Sequence, residues 1–234
     1  MPAPELDHGK VRETIELLAN RITERFPDSG LGRLASHTVA YADELVAIRR
    51  GVVRPIRSLR VAVVVLVASF FVPVAVFLSY KRVGAGPSDV WSFVQAFDSL
   101  ISILVFGGAA MLFLTTIETR IKRKRVLEAV HRLRSLAHVV DMHQLTKDPE
   151  VVLMDGPSTQ SSPRRELSAF ELSRYLDYCC ELLSLLSKLG AILVERFNDA
   201  EALAAVDRLE DMTTGLSRKI WQKLMILNRT QLDA

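Results

Sequence analysis

Cysteine is nearly absent from the 234 residues, and this scarcity excludes a disulfide framework. The only two cysteines, Cys179 and Cys180, are adjacent and stand in an apolar helical stretch. A secreted scaffold carries several spaced cysteines, whereas two neighbouring thiols are typical of a reducing compartment. We therefore expect both thiols to be reduced and to pack rather than react.

Catalytic signatures are also missing. The chain has no Gly-x-Ser-x-Gly, Gly-x-x-x-x-Gly-Lys, Gly-x-Gly-x-x-Gly or His-Glu-x-x-His pattern, so the best-known hydrolase, nucleotide-binding and zinc-protease motifs are excluded. The net charge of +3 is too small to indicate a nucleic-acid partner. We expect no cofactor, no nucleic acid and no enzymatic activity.

No segment alternates apolar and polar residues over the length of a useful strand. Apolar residues recur instead at spacings of three and four, the period of a helix. We predict an all-α protein in which a two-span transmembrane helical hairpin carries long cytoplasmic helices that form a bundle or coiled coil.

Charge is absent from two runs of 19 residues each, Val61–Ser79 and Ser99–Ile117. As helices they span about 28 Å, close to the hydrocarbon thickness of a bilayer. Because backbone groups in lipid must be satisfied within the segment, the runs predict spans at about 60–80 and 98–118. Gly107 and Gly108 lie in the second run, where small residues favour close helix packing; lining a pore is the alternative interpretation.

Basic residues flank the outer ends of the hairpin, whereas only Lys81 and Arg82 lie between the runs. The positive-inside rule therefore predicts a multi-pass protein of the inner (plasma) membrane with both termini cytoplasmic. Anionic lipid headgroups are the expected partner of these residues. No signal peptide is expected, because residues 1–30 are charged throughout. The flanking residues are Arg49, Arg50, Arg54, Arg57, Arg60, Arg120, Lys122, Arg123, Lys124 and Arg125.

The N-terminal part, 1–58, reads as a cytoplasmic helical hairpin. A first helix over 9–26 carries apolar residues at helical spacing, and Pro27 ends it. Residues 27–30 form a turn by residue type, in which Gly30 is the conformationally permissive residue. A second helix begins near Leu31, with a seam of Leu34, Thr38, Tyr41, Leu45, Ile48 and Val52.

The second span has no stop signal after Ile117, because no Gly or Pro occurs before Gln144. We therefore expect one helix of nearly 50 residues, with 119–147 as its cytoplasmic extension. Apolar side chains gather on one side of that extension: Val126, Ala129, Val130, Leu133, Ala137 and Val140. The polar face opposite consists of His131, Arg134, His138 and Asp141.

Residues 148–165 are a flexible polar linker that contains several Pro and Ser residues, and 166–234 form a C-terminal helical hairpin. Its first helix, about 166–197, has an apolar face wide enough to pack on more than one neighbour. In the second helix, Leu216–Leu224 is basic, amphipathic and contains Trp221. It either closes the bundle, which we favour, or lies on a membrane surface.

Only the polar face could hold a metal ion. His131, His138, Asp141 and the nearby His143 are weak candidate ligands, since imidazole and carboxylate are ordinary zinc ligands. Residues seven apart on a helix lie about 10 Å apart, which is too far for one ion, although His138 and Asp141 could share one. A complete site would need ligands from another helix, such as Asp177 or Glu181. The alternative is a solvated polar face with Arg134 paired to Asp141 or Glu128.

Two stretches, His131–Pro149 (HRLRSLAHVVDMHQLTKDP) and Leu216–Met225 (LSRKIWQKLM), resemble a family of uncharacterised two-span bacterial integral membrane proteins. The resemblance covers roughly 55–230 and implies the topology, with no catalytic residue to carry over. The excess of Arg over Lys likewise indicates a GC-rich bacterial genome. The order of two spans and a helical region is also similar in outline to two-span effector domains thought to form pores.

These features favour a non-enzymatic, membrane-anchored helical scaffold or regulator. It would act through a homo-oligomer and contacts with a cytoplasmic protein partner. The first alternative is an oligomeric two-span channel or pore. The second is a metal-dependent activity at His138 and Asp141.

Overall fold

The computed structural model describes residues 6–59, 61–65, 67–69, 72, 90–149, 160 and 167–232. Within these ranges the chain is helical and contains no strand, which confirms the all-α prediction. The long helices are α1 (His8–Arg25), α2 (Gly30–Val53), α3 (Val90–Leu145), α4 (Ala169–Val194) and α5 (Ala200–Leu232). The described residues between 57 and 72 are helical as well.

The chain divides into two compact units. The helical unit comprises Met1–Val53 and Arg125–Ala234, and the apolar unit comprises Arg54–Lys124. Helix α3 contributes residues to both units. Three expected features lie wholly or largely outside the described residues: the second half of the first span, the loop with Lys81 and Arg82, and the linker over 148–165.

In the helical unit, α1 and α2 pack against each other along the predicted faces. The side chain of Asp7 accepts a hydrogen bond from the backbone N of Gly9 at 2.7 Å and thereby caps α1. The apolar residues of α1 at helical spacing, Val11, Ile15, Leu18 and Ile22, are buried. The predicted seam of α2 is also buried except for Ile48, which is half-buried. The sequence pattern therefore identified both buried faces.

The turn between these helices differs from the prediction in one respect. Asp28, not Gly30, adopts the positive φ of 59°, a conformation that a short polar side chain tolerates. Gly30 is instead the first residue of α2. A Cβ at this position would lie 2.3 Å from Cε1 of His143, so a larger residue here would displace that imidazole.

The part of α3 in the helical unit buries the apolar line predicted from the helical wheel. All six of its members are buried: Val126, Ala129, Val130, Leu133, Ala137 and Val140. The buried hydroxyl of Tyr41 on α2 donates a hydrogen bond to the carbonyl O of Ala129 at 3.0 Å. Nearby, Arg132 and Glu44 form an ion pair at 2.8 Å. Helices α2 and α3 are thus joined by apolar and polar contacts.

Helix α4 is the central helix and contacts α1, α2 and α5. It begins at Ala169, later than predicted, because Ser168 and Glu171 form a capping box: Ser168 Oγ accepts from the Glu171 N, and the Glu171 carboxylate accepts from the Ser168 N. Leucines on both sides of the helix are buried, as its wide apolar face predicted. The helix ends at Val194, and Phe197 beyond it is half-buried.

Helix α5 packs along α4 and reaches the end of α3. Buried Asp199 immediately precedes the helix and caps it, because Asp199 Oδ1 accepts a hydrogen bond from the backbone N of Ala202 at 3.0 Å. Farther along, Lys223 Nζ donates to the carbonyl oxygens of Gln144 at 2.9 Å and Lys147 at 3.2 Å. A helix leaves its last carbonyls without intrahelical partners, so this ammonium group satisfies the end of α3.

We expect Leu186→Ala to destabilise the helical unit by about 2–5 kcal/mol, because Leu186 is fully buried within the chain's own fold. The matched control is Leu17→Ala on α1, where the side chain is 57% exposed and the loss should be small. The free energy of unfolding is measured by chemical denaturation in mild detergent, followed by far-UV circular dichroism. Equal losses in the two variants would contradict the described packing of α4.

Candidate functional site

The apolar unit presents an uncovered hydrophobic surface. One helix stretch, Leu104–Leu145 of α3, contains a window long and apolar enough to cross a membrane, and none of that window is buried within the chain. Phe106 is 74% exposed and Leu112 is 71% exposed. Exposed apolar patches of this kind mark contact with lipid or with another protein. Among the described residues no other helix meets this test, so a second span is not shown.

Small and weakly polar residues lie within the same stretch. Gly108 is exposed, and a Cβ built there would meet no atom within 4 Å. Gly107, the other small residue predicted to allow close approach of a second helix, is half-buried. The hydroxyl of Thr116 donates to the carbonyl O of Leu112 at 2.6 Å, so it places no unsatisfied polar group on the helix surface.

The two ends of the predicted hairpin meet at Glu118. Its Oε1 accepts a hydrogen bond from the backbone N of Ile56 at 3.3 Å, just before the first apolar run. The same oxygen pairs with Lys122 Nζ at 2.8 Å. The start of the first run therefore lies beside the end of the second.

The predicted flanking basic residues fall into distinct environments. Arg49 forms an ion pair with Glu195 at 2.6 Å, and Lys122 pairs with Glu118. Arg123 is half-buried, whereas the other described members are exposed: Arg50, Arg54, Arg57, Arg120, Lys124 and Arg125. Arg60 lies outside the described residues. The exposed subset is the part of this group that is accessible to anionic headgroups.

The polar face on α3 is directed away from the buried line, as the wheel predicts. His131 and His138 are exposed, whereas Arg134 and Asp141 are half-buried. Asp141 Oδ1 accepts a hydrogen bond from Gln144 Nε2 at 2.7 Å. Among the described residues no ion pair joins Arg134 to Asp141, and the neighbouring Arg132 pairs with Glu44 at 2.8 Å.

His143 lies apart from that face and packs against the start of α2. Its imidazole contacts Gly30, and Arg33 and Lys147 are the cations that act on it. Burial, followed by the positive charges of these two residues, lowers the pKa of His143 below its ordinary value. The fold therefore favours the neutral form of this imidazole relative to the unfolded chain.

The described residues contain no group of three or more His, Cys, Asp and Glu side chains that could hold a metal ion. Asp177 and Glu181, two residues of another helix that could have completed the predicted site, are paired elsewhere. Asp177 binds Arg174 at 2.9 Å, and Glu181 binds Arg21 at 2.6 Å. The structure thus does not bring the weak candidate ligands together.

The two thiols are held in the neutral form. Cys179 is fully buried in the core, and burial strongly raises the pKa of its thiol. Burial also raises the pKa of half-buried Cys180 to about 11. Because the thiolate is the reactive species, these groups are poor nucleophiles at neutral pH.

The amphipathic segment Leu216–Leu224 closes the bundle with its apolar side. Leu216, Ile220 and Leu224 are buried, while Trp221 on the opposite side is 62% exposed. The segment therefore combines a core-forming face with an outward-facing aromatic residue.

Three arginines cluster around Tyr178, a feature that was not predicted from the sequence. Arg25 Nε donates to the Tyr178 hydroxyl at 3.3 Å, and the guanidinium groups of Arg21 and Arg174 lie 5.7 and 5.3 Å from the ring centroid. Carboxylates of Asp177 and Glu181 neutralise Arg174 and Arg21. No local pattern reveals this cluster, because its members come from helices more than a hundred residues apart.

Comparisons with protein-family models, curated proteins and solved structures find no match to this chain.

The stability of the helical unit should fall as the pH is lowered through about 6.5, the ordinary pKa of histidine. The unfolded chain binds a proton at His143 that the folded chain binds only at lower pH, so acid favours unfolding. His143→Gln should flatten this dependence, measured as the free energy of unfolding against pH. His138→Gln, an exposed position on the same helix, is the matched control; an equal flattening there would contradict the assignment to His143.

Proposed function

We propose that this chain is an integral protein of the inner (plasma) membrane, anchored by a two-span hairpin with both termini cytoplasmic. The helical unit then acts as a non-enzymatic scaffold or regulator through a homo-oligomer and contacts with a protein partner. The observation that carries the proposal is the uncovered apolar window of α3.

The exposed window supports a lipid environment on energetic grounds. Burying one large apolar side chain is worth about 1.5–3 kcal/mol, and Leu104, Phe106, Leu112 and Phe113 are all more than half exposed within the chain. Water is an unfavourable solvent for a helix surface of this kind, whereas hydrocarbon is a favourable one. The uncharged run 99–117 has the length that a bilayer requires.

The contact between Glu118 and Ile56 supports the two-span hairpin. Antiparallel spans joined by a short loop bring the start of the first beside the end of the second, and this hydrogen bond joins those two points. The basic residues on either side of it support a cytoplasmic location for this end. The likeness of His131–Pro149 and Leu216–Met225 to a two-span bacterial family is consistent with the same topology.

The proposed scaffold or regulatory role requires contacts with other molecules, and the core of the helical unit is already buried within the chain itself. Leucines that could have formed an intermolecular coiled coil, such as Leu183 and Leu186, are fully buried within the chain. Oligomer contacts therefore belong to exposed surfaces, among them Gly108 in the apolar unit. Small residues on a lipid-facing helix permit close approach of a second helix.

An oligomeric channel is the second candidate, and one observation favours it. Exposed Gly108, Ala109 and Ser102 add small and weakly polar surface to an otherwise apolar helix. Two spans cannot enclose a pore, so this reading requires several copies.

The hairpin is tested by labelling single cysteines with a membrane-impermeant maleimide in intact cells. Ser88→Cys in the predicted outer loop should react from outside, whereas Gln160→Cys should react only after permeabilisation. The chain with only Cys179 and Cys180 is the background control, since both thiols are held neutral by burial. Labelling of Gln160→Cys in sealed cells, or none at Ser88→Cys, would contradict the topology.

The oligomer is tested by mass measurement of the full chain in mild detergent, where we expect a defined species larger than a monomer. A monomer at all concentrations in detergent, together with no chemically cross-linked species in the membrane, would contradict the homo-oligomer. The same preparation in planar bilayers distinguishes the alternative: a scaffold is silent, whereas a channel conducts and loses its conductance in Gly107→Leu.

A further inference from the structure

Helix α5 carries an exposed line of apolar residues with no partner in the described part of the chain. Trp221 is 62% exposed, Met225 55% and Leu203 36%. Leu203 and Trp221 are eighteen residues apart, which is five turns, and Met225 follows one turn later. Exposed Thr214 lies midway between Leu203 and Met225. We call these four residues the α5 stripe.

Charge along α5 is divided between its halves. The first half, 200–213, contains Glu201, Asp207, Glu210 and Asp211, with Arg208 as its one basic residue. The second half, 214–232, contains Arg218, Lys219, Lys223 and Arg229 and no acidic residue. Beside the stripe, Asp207, Glu210 and Arg218 make no ion pair within the described residues. Unpaired acids thus lie on one side of Thr214 and an unpaired base on the other.

We propose that the α5 stripe docks on the α5 stripe of a second copy of this chain, with the two helices antiparallel and Thr214 at the twofold axis. This interface deepens the proposed function and rests on its homo-oligomer. A twofold axis pairs each residue with its counterpart at equal distance beyond the centre. Leu203 then faces Met225 of the second copy, Asp207 faces Trp221, and Glu210 faces Arg218.

Charge complementarity selects this arrangement. In the antiparallel pair the acidic half of each helix meets the basic half of the other, whereas a parallel pair would juxtapose like charges. Gly215 lies beside the axis, and a Cβ built there would meet no atom within 4 Å, so the helices can approach closely at that point. Trp221 is the kind of exposed aromatic residue that supplies much of the binding energy in protein interfaces.

A second copy fits the stripe better than a lipid surface does. Anionic headgroups attract Arg218 but repel Asp207 and Glu210, which lie along the same side of the helix. A second, antiparallel copy offers an opposite charge to the acidic and to the basic residues. One pair of helices buries a modest area, so association in dilute solution is weak. Anchoring both copies in one bilayer raises their effective concentration and favours the pair.

Cysteine cross-linking of the full chain in its membrane tests the register. Thr214→Cys lies at the axis, where the two thiols of an antiparallel pair come within disulfide range, so oxidation should give a covalent dimer. Gln222→Cys is the matched control, because it is exposed on the same helix but lies off the stripe. Equal cross-linking at both positions, or none at Thr214→Cys, overturns the proposal.

Charge reversal tests the pairing in the Thr214→Cys background. Arg218→Glu or Glu210→Arg alone should reduce the covalent dimer about tenfold or more, because like charges then face each other. The double variant should restore it. Circular dichroism verifies that each variant is folded, and failure of the double variant to recover the dimer overturns the proposal.

The outcomes separate this interface from the proposed function. A chain that is oligomeric in detergent but does not cross-link at Thr214→Cys retains the homo-oligomer and loses this interface. A monomer in detergent and in membranes excludes both. Quenching of Trp221 by brominated lipid, in a Trp91→Phe background, would place the stripe on lipid and overturn the proposal.

Discussion

Burial of the leucine-rich surface of α4 is the interaction on which the helical unit depends. Helices α1, α2 and α5 all contact α4, and its buried side chains lie on more than one side of the helix. Each such leucine contributes roughly 2 kcal/mol relative to exposure in water. The polar contacts between helices are placed around this apolar centre. They orient the helices, whereas the leucines supply most of the driving force.

The faces of the helices could be read from the sequence because burial has the helical period. Ile15 and Ile22 on α1, Leu133 and Ala137 on α3, and Leu186 on α4 all fall where the pattern predicted. Helix ends were predicted less well. Helix α4 starts at Ala169 because Ser168 and Glu171 cap it. The spacing of apolar residues gives no information about such a capping motif.

Contacts between distant residues could not be predicted from one sequence. The spacing suggested Arg134 paired with Asp141, but Asp141 accepts from Gln144, and Arg132 reaches Glu44 on another helix. Lys223 at the end of α3 is a similar case, since nothing near it in the sequence specifies Gln144 as its partner. Such pairs depend on how whole helices pack, and local spacing carries no information about that.

The helical unit is built from two separate parts of the chain, and the ribosome translates the first well before the second. Residues up to Val53 emerge first, but α1 and α2 cannot complete their packing until α4 is made. At about 5–20 residues per second, the stretch between Val53 and Ala169 takes roughly 6–23 s to translate. During that interval Phe26 lacks the rings of Tyr175 and Tyr178 that pack against it in the complete fold, which exposes apolar surface near the ribosome. The apolar surface of the N-terminal hairpin is therefore fully buried only after α4 has been synthesised.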